Sequence, residues 1–416
     1  MLLSHSSLLT TIFLQIHALT VTALPSSSNE TSSNATIRVD FGRIPDNITR
    51  YIHSTPEYEY LETSRATKRD LYQLLLQEEA GDELKFVSSP DEIEPTEEYY
   101  ANAGYAFLSG AGSGVTVYVH DSGINLQHAE FTLASPPDVQ KGTIEWLYPD
   151  FDLESIPWGS WITEPTHDPI GHGTCVADKI VGQMFGVAKG ASLKMVPVVS
   201  ISSDFWLQAG LRTIIKDIKK EREKDPNFMA VVNFSYVLTG PFSTLVQSDY
   251  YDLFKEIHDL DVVMVAAAGN WRPGMSKQVT DYPAALVGSL QNMIVVGSVD
   301  VHGHVSDFSK TGDLVSVYAP GERYSKEEGI ECAAGSTTSS NEEDIQYGVV
   351  KQEGTSLAAP IVSGLAAYWL SIDSSLRRGN TVSQKVKARI VDLAWSRQGL
   401  DINIPAIWNG QDGSGC

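Results

Sequence analysis

Four short strings in this chain carry residues whose types and setting allow them to do chemistry together. Ser356 lies in QEGTSLAAPIVSGLAAYWLSI, behind Gly354 and Thr355 and ahead of a small-residue helix with Pro360 early in it. A serine at a helix N-terminus meets unpaired backbone N–H groups and the positive end of the helix dipole, and both favour an oxyanion. The same position suits a plain N-cap serine, so this string alone leaves two readings open. His172 stands between two glycines in HDPIGHGTCVADKIV, where a loop opens into a helix. Asp121 ends the apolar strand GVTVYVHD just before Ser-Gly, a place that also fits a turn. Asn270 ends the apolar run VVMVAAAGN, where the alternatives are a turn or a side-chain amide aimed at developing negative charge.

A serine hydroxyl is a poor nucleophile at neutral pH and needs an adjacent base, and an imidazole in turn needs a carboxylate to fix its tautomer. The Asp-Ser-Gly string also occurs in aspartic proteases, but that chemistry needs two carboxylates at one site, and no second Asp-(Ser/Thr)-Gly is present. In the order Asp, His, Asn, Ser, the strings DSGIN, GHGT, AAAGN and GTSLAAP resemble the subtilisin-like serine peptidases. The resemblance extends to YPAA at Tyr282, VGSVD at Val296, DFSKTG at Asp307 and YAPG at Tyr318, and covers about 91 to 410. The closing PAIWNG is similar to secreted subtilases of filamentous fungi. The acid-active sedolisin type shares a GTS serine, but uses Glu and Asp where this chain has GHGT and DSGIN.

The resemblance implies roles. Asp121, His172 and Ser356 are the expected catalytic triad of an endopeptidase working through an acyl-enzyme, and Asn270 the expected oxyanion donor. It implies that a peptide is read as an added strand between Ser235-Tyr236-Val237 and the segment carrying Ala267 and Gly269. No cofactor is required for that chemistry. Structural calcium is common in the family, but no ligands map onto this sequence, so no metal residue is assigned.

Those residues need a frame. From about Asp91 onward apolar, β-branched runs alternate with helical stretches. The runs are GVTVYVH, MAVVNFSYV, VVMVAAAGN and MIVVGSV; the helices are HGTCVADKIVGQM, SSDFWLQAGLRTIIKDIKKEREK and TLVQSDYYDLFKEIHDL. Such alternation predicts an α/β fold, a mostly parallel twisted sheet with helices on both faces, with the site at the strands' carboxyl ends. A small N-terminal segment precedes it. Within that segment, Thr67 to Glu79 reads as an amphipathic helix ended by Gly81, from Leu71, Leu74 and Leu75. Lys68-Arg69 is either a processing site or, the blander choice, part of a solvated helix face.

The organisation expected is a signal peptide over 1–23, a propeptide-like segment over 24–90 and a catalytic domain over 91–416. The leader rests on an apolar core from Leu8 to Val21 followed by small residues, with no later segment apolar for long enough to span a bilayer. Sequons at Asn29, Asn34 and Asn47 fit a secreted glycoprotein, whereas Asn233 lies in an apolar run and is expected to be buried. A net charge of -22 argues against nucleic acid or an anionic membrane as partner, leaving polypeptide substrates and a secreted monomer. Of three cysteines, Cys175 is expected to be a buried structural thiol, Cys332 and Cys416 are a candidate disulfide, and the spacing suggests no zinc site.

Three departures qualify the resemblance. Val237-Leu238-Thr239 stand where the family has glycines, which narrows the expected primary pocket. Asp178 occupies a helix position usually held by a small residue, and a buried acid there needs compensation. His120 replaces an apolar residue before Asp121 and is expected to be a hydrogen-bonded core histidine. These departures motivate an alternative, a catalytically weak binding or decoy protein on the same fold.

Overall fold

A computed structural model of the chain describes residues 38–40, 48–61, 72–90, 96–149, 168–198, 204–239, 244–323, 329–336, 341–396 and 404–414. The expected leader, the sequons at 29, 34 and 47, and Lys68-Arg69 lie outside the described residues.

In chain order the strands are β1 Arg38–Asp40, β2 Arg50–Tyr51, β3 Tyr58–Tyr60, β4 Leu74–Gln77, β5 Tyr105–Leu108, β6 Val115–Asp121, β7 Ile144–Trp146 and β8 Ser192–Pro197. They continue as β9 Met229–Phe234, β10 Val237–Thr239, β11 Val263–Ala267, β12 Ile294–Val299, β13 Val317–Pro320, β14 Ile330–Ala333 and β15 Gly348–Gln352. The helices are α1 Asp82–Val87, α2 Glu97–Asn102, α3 Ala129–Thr132, α4 His172–Val181, α5 Asp204–Lys224, α6 Thr244–Asp259, α7 Glu342–Tyr347, α8 Thr355–Ile372 and α9 Val382–Leu393.

Seven strands form one parallel sheet in the order β13-β12-β11-β9-β6-β8-β7. The apolar runs alternate by face, as a two-sided buried sheet requires. Val117, Val119, Val231, Val263 and Val265 join the core formed with α4, α8 and α9. Tyr118, Val232, Met264 and Ala266 join a second core, roofed by Leu211 and Ile214 of α5 and Phe254 and Ile257 of α6. After β8 the chain crosses to the far side of β6 to form β9, so successive connections diverge there. The carboxyl ends of β6 and β9 therefore flank the switch point, where ligands bind in open α/β sheets.

Helix α8 runs against this sheet, its side chains buried from Thr355 through Ser371. By length and composition it is apolar enough to cross a membrane, which corrects the expectation that no segment beyond the leader is. Its surroundings are the protein core. Pro360 is the sixth residue of α8, beyond the four N–H groups a helix start leaves unpaired, so it removes the donor that Ser356 O would otherwise meet one turn on.

The N-terminal region differs from expectation. Leu74–Gln77 is strand β4, not helix, in an antiparallel sheet β3-β4-β5. Three consecutive leucines make a short apolar run that periodicity cannot assign, and pairing with Tyr105–Leu108 decides it. Residue 90 is not a structural break either. Leu75, Leu84 and Val87 are fully buried in the main core, Lys179 of α4 pairs with the buried Glu83 at 2.6 Å, and the Tyr72 hydroxyl donates to Ser371 O at 2.9 Å. Cysteine pairing is also corrected: Cys175 bonds Cys332, tying α4 to β14. The two are adjacent because Asp178 and Lys179 of the same helix bind the backbone of that strand.

Candidate active site

Asp121 is the last residue of β6, an interior strand of the parallel sheet between β9 and β8, and is fully buried. Its Oδ1 accepts from His172 Nδ1 at 2.8 Å and from its neighbour Ser122 N at 2.7 Å. That bond fixes the imidazole's Nδ1 as the protonated nitrogen and presents Nε2 as the ring's basic face. His172 is the first residue of α4, entered through Gly171 in a left-handed conformation (φ 79°).

What aims His172 is a second carboxylate, four residues before it in the same string. Asp168 is fully buried. Its Oδ2 accepts from Thr174 N (2.8 Å) and Thr174 Oγ1 (2.7 Å), and its Oδ1 from Gly171 N (2.9 Å) and Ser122 Oγ (2.8 Å). Ser122 Oγ in turn accepts from Gly173 N at 2.8 Å. One acid therefore satisfies the first donors of α4 and ties them to the residue after Asp121, so the helix and strand that carry the His–Asp pair are locked together. The sequence signal for it was present: an acid four residues ahead of a helix start, with Thr174 inside the first turn.

Ser356 stands in the first turn of α8, and Asn270 follows β11. Asn270 Oδ1 accepts from Thr355 N (3.0 Å) and Thr355 Oγ1 (2.9 Å), while Thr355 Oγ1 accepts from Gly269 N (3.1 Å). With the carbonyl oxygen held on that side, Nδ2 turns toward the nucleophile. Gly354 shows how close the two groups are. A β-carbon there would stand 3.0 Å from Ser356 Oγ and 3.1 Å from Asn270 Nδ2, and Gly354 has φ +146°, a conformation that favours glycine. The end of β15 also reaches the residue before the histidine, since Gln352 Nε2 donates to Gly171 O at 3.3 Å. His172 is 1% and Ser356 4% exposed.

The expected substrate-binding residues gather at the same rim. Ser235 Oγ is met by Asn233 Nδ2 at 2.8 Å. Tyr236 is buried with its hydroxyl 2.8 Å from His120 Nδ1. Val237 opens β10, Ala267 ends β11, and Gly269 has φ +99°. Strand β10 is not an open edge: β1 pairs with it antiparallel, with Val39 opposite Leu238 and Asp40 opposite Val237.

The departures have physical accommodations. Burial pushes the His120 pKa down to about 3, so it is a neutral core imidazole. Asp178 is fully buried and its Oδ2 accepts from Ala333 N at 2.8 Å. Burial first, then the facing Glu130 carboxylate, raises its pKa well above the usual carboxylate range. Gly182 makes room for the two acids, since a β-carbon there would fall 1.8 Å from Asp178 Oδ1 and 2.5 Å from Glu130 Oε2. Asn233 is buried as expected, with Oδ1 accepting from Ser363 Oγ at 2.9 Å. Among the described residues no group of three or more His, Cys, Asp or Glu is gathered as for a metal ion.

Comparison with known proteins gives consistent matches. A family model described as Subtilase family matches residues 112–407. Subtilase-type proteinase psp3 of Schizosaccharomyces pombe is 29% identical over 282 residues, covering 67% of this chain and 51% of that protein. Subtilisin-like protease 2 of Pseudogymnoascus destructans is 31% identical over 272 residues, 64% of this chain and 54% of that one. A cuticle-degrading serine protease of Arthrobotrys oligospora is 28% identical over 300 residues, 71% and 61% respectively. The chain thus matches between about half and three-fifths of these relatives' lengths. The crystal structure of a cold adapted subtilisin-like serine proteinase superposes with a TM-score of 0.53 at 24% identity, covering 80% of this chain and 98% of that one, a likeness of fold.

Proposed function

The chain belongs to the subtilase family, and from that premise we propose that it is a secreted serine endopeptidase with Asp121, His172 and Ser356 as its triad and Asn270 as its oxyanion donor. The observation that carries the reading is the 2.8 Å bond from His172 Nδ1 to Asp121 at the carboxyl end of β6, with Ser356 Oγ and Asn270 Nδ2 flanking one point beside Gly354. In the proposed reaction His172 Nε2 takes the Ser356 proton as Oγ bonds to the substrate carbonyl carbon. The carbonyl electron pair moves onto oxygen and is held by the Asn270 amide and the Ser356 N–H. The C–N bond then breaks, His172 returns the proton to the leaving amine, and water repeats the sequence on the acyl-enzyme. Asp121 stays ionised throughout and stabilises the imidazolium. No step uses a cofactor.

The substrate class is polypeptide, bound as an added strand beside β10. The N-terminal region divides in this reading. Residues 72–90 contribute buried core side chains and are retained, whereas β1 lies where an added strand would pair and acts as an inhibitory segment to be displaced or removed. The same pairing favours a second reading, a binding protein with little turnover. A fluorophosphonate separates them. Labelling of Ser356 in the secreted protein, lost together with casein hydrolysis in Ser356→Ala, is expected of a peptidase. A folded, processed sample that takes no label overturns it.

A further inference from the structure

We propose that Val237 and Lys310 together fill the slot between Ser235–Val237 and Ala267–Gly269, so that the enzyme cleaves after glycine or alanine and rejects longer side chains on the acyl side of the bond. This inference rests on the peptidase reading above.

The argument starts at Gly269. A β-carbon placed there would stand 3.3 Å from Val237 Cγ1 and 3.2 Å from Lys310 Cδ. Carbon atoms in good contact sit roughly 3.5–4.0 Å apart, so these two side chains already lie against the Gly269 wall. A flat aliphatic or aromatic side chain inserted between two walls needs one such contact on each face, a gap of roughly 7–8 Å. The Val237 methyl group stands in that gap. On the facing segment Ala267 is 2% exposed and Ala268 is fully buried.

Neither wall is free to swing aside. The Lys310 ammonium is bonded to Thr280 Oγ1 at 3.2 Å and ion-paired with Asp281, with its side chain 2% exposed. Withdrawing it would strand a buried charge. On the other side, Tyr236 anchors the segment through its hydroxyl bond to His120 and an edge-on contact with the Phe234 ring. His120 is itself braced against α5, where a β-carbon on Gly210 would fall 2.3 Å from His120 Nε2. The charge at the floor is also satisfied. Since Asp281 neutralises Lys310, neither an acidic nor a basic acyl-side residue finds an unpaired counter-charge there. Glycine and alanine need only the main-chain pairing, which does not depend on the slot.

The test uses the full chain as secreted, a peptide library varied only at the acyl-side residue, and fluorophosphonate labelling of the same samples. Expected are labelling of Ser356 and kcat/KM for cleavage after Gly or Ala exceeding that after Leu, Phe, Lys or Glu by roughly 10- to 200-fold. Val237→Gly should shift the ratio of Leu to Ala cleavage toward Leu by at least about tenfold. Val237→Ala, which keeps a β-carbon in strand β10, should shift it part of the way. A labelled wild type that cleaves after Leu or Phe as fast as after Ala overturns this inference alone, and so do labelled variants that keep the wild-type profile. A wild type that takes no label overturns the peptidase reading and this inference with it.

Discussion

In the proposed mechanism, Asn270 is a side chain prepared for a charge that is not yet there. Two donors from Thr355 hold its carbonyl oxygen, so the amide N–H group is oriented before any substrate arrives and costs no reorganisation as the oxyanion forms. Replacing it by alanine is expected to lower kcat on a peptide ester on the order of 100- to 1,000-fold with KM little changed, a magnitude measured for such a donor in subtilisin itself. Thr355→Val keeps the backbone N–H bond and removes only the hydroxyl, so a smaller loss, about tenfold, is expected. Steady-state kinetics on both variants checks the pair, and an Asn270→Ala enzyme with wild-type kcat would remove the amide from the mechanism. All four residues of the proposed mechanism stand in strings readable from the sequence, because each chemistry demands one residue type. Asp168 was not singled out, because a buried capping acid looks in sequence like any loop aspartate until its bonds to Ser122, Ile170, Gly171 and Thr174 are seen.

Helix α4 carries the catalytic histidine at one end and an unusual acid at the other. Asp178 faces Glu130, and burial raises its pKa in the folded protein. Its folded pKa lies above the unfolded value, so the stability it contributes is fully present below about pH 4 and is lost as pH rises toward the folded pKa. Across that window the slope is at most about 1.4 kcal/mol per pH unit. Asp178→Asn keeps a neutral group of the same shape and should flatten this part of the stability curve. Urea unfolding from pH 4 to 9 checks it: the variant should gain on wild type as pH rises, and parallel curves would show that Asp178 does not titrate differently on folding. The strand elements were legible where β-branched residues run to a polar end, as in β6, β11 and β12. Strand β4 was not, since Leu74–Leu76 suits either structure and only its partner β5 decides.

Across the whole molecule, the Cys175–Cys332 bond closes the longest covalent loop, spanning a sequence separation of 157 residues, and fastens α4 to β14. Restricting the unfolded chain over such a loop is worth at most about 5 kcal/mol. The double variant Cys175→Ser, Cys332→Ser should therefore unfold at markedly lower urea concentration, with wild-type labelling of Ser356 under native conditions. Peptide mapping without reduction should recover 175 and 332 linked, and finding 332 linked to 416 would contradict the pairing. The bond also makes the region before 90 consequential, because Lys179, in the same helix, is paired with Glu83. The N-terminal stretch, the histidine helix and β14 are thus one mechanical unit.

The amino-acid sequence by itself determined the fold class of this protein and supplied the residue types for the proposed chemistry. Nucleophile, base, acid and amide are each specified by residue type, and the alternation of apolar strands with amphipathic helices leaves few architectures. What only the tertiary structure decided are the relations between segments distant in the chain: which cysteine meets Cys175, which acid holds the start of α4, how Asp178 is accommodated, and what fills the space beside Gly269. These depend on which surfaces come together once the sheet is built. No local pattern of residues encodes the neighbour that a buried charge or an unfilled gap will find.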